Sequence, residues 1–157
     1  MAKHLIIYLL LVFPLLSVSQ TKETLQAYLE KTLSYQTLTY KSSGKDVRIT
    51  IFKVEFQDCT LNYNIKKKTG NSIEQYTVRV FLPRVSKINM AKTKHGYDVL
   101  TFSTNGKSII KETPDGDLIH QKTETIPLTK PNTKALEYLE KLRINCQNKF
   151  NAKANLP

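Results

Sequence analysis

Apolar residues recur along this chain with helical spacing near each end and with a period of two between. Leu25, Tyr28, Leu29 and Leu33 fall on one face of a helix over residues 21–33, with Lys22, Glu23, Gln26, Glu30 and Lys31 on the other and Thr21 placed to cap it. From Thr37 the pattern is extended: a short strand over 37–41, a turn over 42–46, then Val47, Ile49 and Ile51 on one face. Phe52, Val54 and Phe56 continue on the opposite parity, which predicts a bulge near Ile51 to Lys53. A reversal at Gln57-Asp58 precedes the alternation of Cys59, Leu61, Tyr63 and Ile65, and residues 66–72 read as a hairpin loop. Tyr76, Val78, Val80 and Leu82 form the next strand, stopped by Pro83. Residues 84–96 read as a looser basic segment. Residues 97–103 and 107–112 are predicted to pair across Thr104-Asn105-Gly106, followed by a turn over 113–117 and a last extended piece ending near Pro127. Pro131 opens a second helix to about Phe150, with Ala135, Leu139, Leu142, Cys146 and Phe150 in one stripe. The expectation is one α+β domain over residues 20–150, about six or seven antiparallel strands in a bent sheet with an N-terminal helix and a capping C-terminal helix. Residues 151–157 read as a flexible tail.

Residues 5–16 follow neither period. They form an uncharged apolar run after Lys3, and Ser17 and Ser19 place small residues at −3 and −1 of a cleavage point before Gln20. The run is shorter than the roughly 20 residues of a membrane span and contains Pro14, and no lipobox cysteine lies near the cut. Residues 1–19 are therefore read as a signal peptide, and the mature protein as exported, either secreted or periplasmic, with no transmembrane anchor after processing. In such an oxidising compartment the two cysteines, Cys59 and Cys146, most simply form one disulfide, the alternative being two buried thiols in apolar stripes.

Charge adds a second theme. Lysine and arginine number 24 against 13 acidic residues, a formal net charge of +11, which favours polyanions such as nucleic acid, anionic lipid headgroups or acidic glycans. The candidate anion-binding residues are Lys66, Lys67 and Lys68 with Lys87, Lys92 and Lys94, near strand tyrosines such as Tyr63 and Tyr76. The competing reading of the lysine triplet is a solvated hairpin tip.

Catalytic chemistry finds little support. Asp58-Cys59 with His95 or His120 could make a thiol, carboxylate and base, but the alternation around Cys59 points to a core or disulfide cysteine. No GxSxG elbow is present. Asp115 with Asp117 lies in a turn, and Glu137 with Glu140 on a solvated helix face. The cysteines lack zinc-site spacing, Asp115-Gly116-Asp117 lacks the other ligands of a calcium loop, and the five glycines form no phosphate cradle. The expectation is no catalytic residue, no cofactor and no metal.

The leader ending Ser17-Val18-Ser19-Gln20, the helix opening Thr21-Lys22-Glu23-Thr24-Leu25 and the segment Asn132-Thr133-Lys134-Ala135-Leu136-Glu137-Tyr138-Leu139 resemble small uncharacterised exported proteins of Bacteroidetes. That resemblance covers the chain loosely and implies no activity or site residue. The order of strands closed by a long helix is similar to pleckstrin-homology-like domains, which implies a binding role more than a catalytic one. The function expected is an exported non-catalytic binding or structural module; the alternative is a basic protein that binds a polyanion or lipid surface, and a hydrolase without a recognisable motif ranks third.

Overall fold

The computed structural model describes residues 21–154. The predicted leader and its cleavage point at Ser19 and Gln20 lie outside them, as do the last three residues of the predicted tail. Helix α1 (Lys22–Leu33) starts where the Thr21 hydroxyl accepts from the Thr24 amide at 3.3 Å, and it buries Leu25, Leu29 and Leu33. Nine strands follow: β1 (Thr37–Ser42), β2 (Lys45–Gln57), β3 (Thr60–Thr69), β4 (Ser72–Phe81), β5 (Val85–Lys92), β6 (Asp98–Thr104), β7 (Ile109–Glu112), β8 (Leu118–Gln121) and β9 (Thr123–Leu128). Helix α2 (Thr133–Ala154) closes the chain. Six strands form one antiparallel sheet in the order β1-β2-β3-β4-β7-β8, and three form a second in the order β5-β6-β9. This is the expected α+β architecture. No helix among the described residues is long and apolar enough to cross a membrane.

The bulge lies where the parity slips. Ile51 pairs with Ile65 and Val54 with Tyr63, so β2 carries one extra residue there. Past the bulge β1 no longer covers β2, and α1 with its C-cap Ser34 satisfies that edge instead: the Val54 amide donates to Ser34 Oγ at 2.8 Å and the Phe56 amide to Glu30 Oε1 at 2.7 Å. The β1–β2 turn uses Ser43 and Gly44 at φ 50° and 73°, the paired left-handed geometry that suits the strand twist.

Four expectations need correction. Lys66, Lys67 and Lys68 are not in a hairpin loop; they lie within β3, paired to both neighbours, and the turn is only Gly70-Asn71. The segment over 84–96 holds β5, whose own register shift between Val85 and Lys87 breaks the alternation that would reveal it. Thr104-Asn105-Gly106 does not join a hairpin: β6 pairs with β5 and β9, and β7 with β4 and β8. Thr104 instead fixes a corner between the sheets, its amide donating to the Lys122 carbonyl at 2.9 Å and its hydroxyl to the same oxygen at 3.1 Å and to the Gly106 carbonyl. The last extended piece divides at Lys122, β8 staying in the large sheet and β9 entering the small one. In addition, α2 runs past Phe150 to Ala154, through Asn151-Ala152-Lys153-Ala154, which contains no glycine or proline to stop it.

A single apolar cluster joins the sheets and helices, with Leu29, Ile51, Tyr63, Phe102, Ile126 and Leu139 among its fully buried members. Both helices are fastened at the two-residue turn between β2 and β3. Cys59 bonds to Cys146 of α2 with Cα atoms 5.7 Å apart. Beside it, Asp58 sits at φ 52° and its Oδ1 accepts from Lys22 of α1 at 3.0 Å and from Lys149 of α2 at 3.2 Å. Gln26 donates to the Asp58 carbonyl at 3.1 Å. These lysine hydrogen bonds, Lys22 first and Lys149 second, hold the Asp58 carboxyl below its usual range.

Two predictions follow from this junction. The disulfide spans 87 residues, and chain entropy makes it worth at most about 4–5 kcal/mol. Cys59→Ala with Cys146→Ala should lower the urea midpoint accordingly, whereas an unchanged midpoint would show that the link constrains nothing. Because the folded pKa of Asp58 is depressed, its contribution is present above the unfolded value of about 3.9 and is lost as pH falls through the folded value. Asp58→Asn tolerates the left-handed backbone, so it should be less stable than the parent near neutral pH, with the difference closing on acidification. A difference independent of pH would place the effect elsewhere.

Candidate anion-binding surface

Strand alternation divides the lysine triplet. Lys66 and Lys68 point to the solvent side of the large sheet, where Lys68 is opposite Arg48 and Lys66 opposite Thr50. Lys67 shares the inward parity of Tyr63 and Ile65 and meets Glu74 of β4 at 3.7 Å. Arg48, Thr50, Phe52, Lys66 and Lys68 together line a groove of about 270 Å³ that no carboxylate enters. Among the described residues, Arg48, Lys66 and Lys68 make no ion pair.

The bulge supplies the groove's aromatic wall. One extra residue lets Val54 return to the core while Phe52 stays outside, 36% exposed. Its carbonyl accepts from the amide of Tyr35, a residue at φ 57° whose ring is largely in solvent. Lys53 is turned to an ion pair with Glu55, whose hydrogen bond raises its pKa. Elsewhere on this face the Thr37 and Thr50 hydroxyls meet at 3.4 Å, Thr77 donates to Asn64 at 2.8 Å and Arg79 is neutralised by Glu112, while Ile73, opposite Lys68, and Leu118 of β8 are exposed apolar residues. Guanidinium and ammonium groups on a concave floor can donate charge-assisted hydrogen bonds to sulfate, phosphate or carboxylate oxygens.

The other candidate lysines lie elsewhere. Lys87 and Lys92 are exposed on β5, and Lys94 occupies the turn between β5 and β6. That turn meets the end of β1 through three rings: Tyr40 is 4.6 Å from His95 and 5.2 Å from Tyr97, centroid to centroid. Burial, and then Tyr40 beside it, push the Tyr97 phenol above its usual value.

The candidate catalytic groups do not assemble into one arrangement. Cys59 is bonded to Cys146, so it presents no thiol beside Asp58. His95 packs among tyrosines and His120 is exposed on β8. The 113–117 turn is closed on itself, with Asp117 donating its amide to Thr113 Oγ1 at 3.0 Å. Glu137 pairs with Lys141 and Glu140 with Arg143. Among the described residues, no three His, Cys, Asp or Glu side chains converge as metal ligands.

One polar group inside the fold escaped the sequence reading. Glu124 of β9 is almost fully buried, accepting from Lys111 at 2.7 Å and from Gln121. The Tyr63 hydroxyl, buried without a partner, has its pKa driven well up by desolvation and then by Glu124. The available signal was parity, since Glu124 shares a strand face with Ile126 and Leu128. A buried ion pair of this kind is weak evidence for stability, because desolvating two charges offsets their attraction.

Comparison with known proteins finds no matching family model, no matching curated protein and no matching solved structure.

Proposed function

We propose that this chain is an exported, non-catalytic binding module that holds an extended anionic polymer on the solvent face of β2 and β3. The observation that carries this reading is the groove in which Arg48, Lys66 and Lys68 converge without a carboxylate. An extended polymer suits it better than a planar lipid surface, because the cations line a concave track within a sheet and do not protrude at a hairpin tip. Export is supported by the apolar run ending at Ser17-Val18-Ser19 and by the disulfide, which fits an oxidising compartment. Membership among the small exported proteins of Bacteroidetes, and a binding role like that of pleckstrin-homology-like domains, belong to the same reading and rest on resemblance.

Lys66 and Lys67 are adjacent, carry the same charge and face opposite sides of the sheet, so they form an internal control. Retention on heparin should weaken linearly in log–log form with salt, and Lys66→Gln should lower the slope by about one while Lys67→Gln leaves it unchanged. Equal losses from both variants would attribute retention to net charge and contradict the groove.

A further inference from the structure

Strand β8 ends the large sheet, and among the described residues it pairs only with β7. The Thr113 amide donates to the Asp117 carbonyl at 2.9 Å, so by antiparallel alternation Ile119 and Gln121 also aim their backbone groups at β7. Leu118 and His120 therefore turn their N–H and C=O groups outward along the free edge. Edge strands are ordinarily blunted by lysine, proline or a bulge. None of these protects β8, which runs Leu118-Ile119-His120-Gln121 in unbroken register with Leu118 54% and Ile119 44% exposed. The other edge of the sheet, β1, carries Lys41 and contacts β9 of the small sheet.

This strand is complementary to itself. A two-fold axis through Ile119 and normal to the sheet sets two copies of β8 antiparallel, with Leu118 of each opposite His120 of the other. Those two residues carry the outward backbone groups, so both pairs close with hydrogen bonds. Ile119 then faces Ile119 at a non-hydrogen-bonded position, where side chains approach most closely. The flanks match as well. Asp115 and Asp117 precede the strand and Lys122 follows it; all three are exposed, and among the described residues none of them makes an ion pair. Laying one copy antiparallel on the other brings Lys122 of each beside Asp115 and Asp117 of its mate, opposite charges meeting at both ends of the contact.

We propose that β8 is a self-association edge, joining two copies of this chain by antiparallel β8–β8 pairing so that their six-stranded sheets become continuous. The pairing does not depend on the anion-binding reading. A contact built on four residues per copy falls short of the roughly 1,200–2,000 Å² of a standard stable interface. The dimer is therefore reversible, and concentration controls it.

Sedimentation velocity of the folded chain over a range of concentrations tests this. The parent should pass from monomer to dimer as concentration rises, and Ile119→Lys, which sets two lysines face to face, should weaken dimerisation about tenfold or more. A second pair of variants reads the register. Ile119→Cys places its two α-carbons about 4.5 Å apart across the axis, within disulfide reach, whereas Leu118→Cys leaves them about 8 Å apart. Under mild oxidation Ile119→Cys should give a covalent dimer and Leu118→Cys should not. A parent that stays monomeric at every concentration would overturn the proposal and leave this edge to a strand of another protein. A dimer indifferent to Ile119→Lys, or equal cross-linking by the two cysteine variants, would overturn it by placing the contact elsewhere.

Discussion

Cys59 and Cys146 tie the turn at the end of the thirteen-residue β2 to the buried stripe of α2, and Asp58 beside them gathers lysines from both helices. Everything the helices cover follows from this fastening. Helix α1 lies along the part of β2 that β1 leaves bare, and α2 reaches β5, where Gln147 donates to the Val85 carbonyl at 2.9 Å. The helices meet each other through Tyr28 and Tyr138, whose rings are 4.9 Å apart at an edge-on angle. With both helices held there, the opposite face of β2 and β3 stays in solvent, and apart from Phe52 the residues lining its groove are polar and basic. A bond in the core is what leaves the proposed binding face open.

Much of this architecture was legible because hydrophobic periodicity reports burial directly. Leu25, Leu29 and Leu33 specify α1, and Ala135, Leu139, Leu142 and Cys146 specify the inner stripe of α2. The parity slip after Ile51 places the β2 bulge. The same logic misleads at β5, where a second bulge sets Val85 and Ile88 on one face despite odd spacing. Asn105-Gly106 carries hairpin chemistry, but Gly106 does not take the left-handed backbone that a tight Asn-Gly turn requires, and Thr104 ties the segment to Lys122. Long-range pairing decides such corners, and local residues do not record it.

The candidate site divides in the same way. Consecutive lysines look like a solvated tip, since lysine is a poor strand former. Pairing on both sides keeps Lys66 to Lys68 extended, and the pleat then separates Lys67 from its neighbours. Arg48 and Phe52 stand out only once β2 and β3 are in register, because nothing in their own segment distinguishes them from surface residues. The meeting of Tyr40 with His95 and Tyr97 depends on contact between the two sheets, which no local pattern encodes.

The central claim is that an anionic polymer lies along the open face of β2 and β3. Backbone amide chemical shifts of the folded chain during titration with a heparin-derived oligosaccharide test it most directly. Changes should be concentrated at Arg48, Thr50, Phe52, Lys66 and Lys68, with Lys141 and Lys149 of α2 unmoved. Changes centred on α2, or spread evenly over the surface lysines, would contradict it.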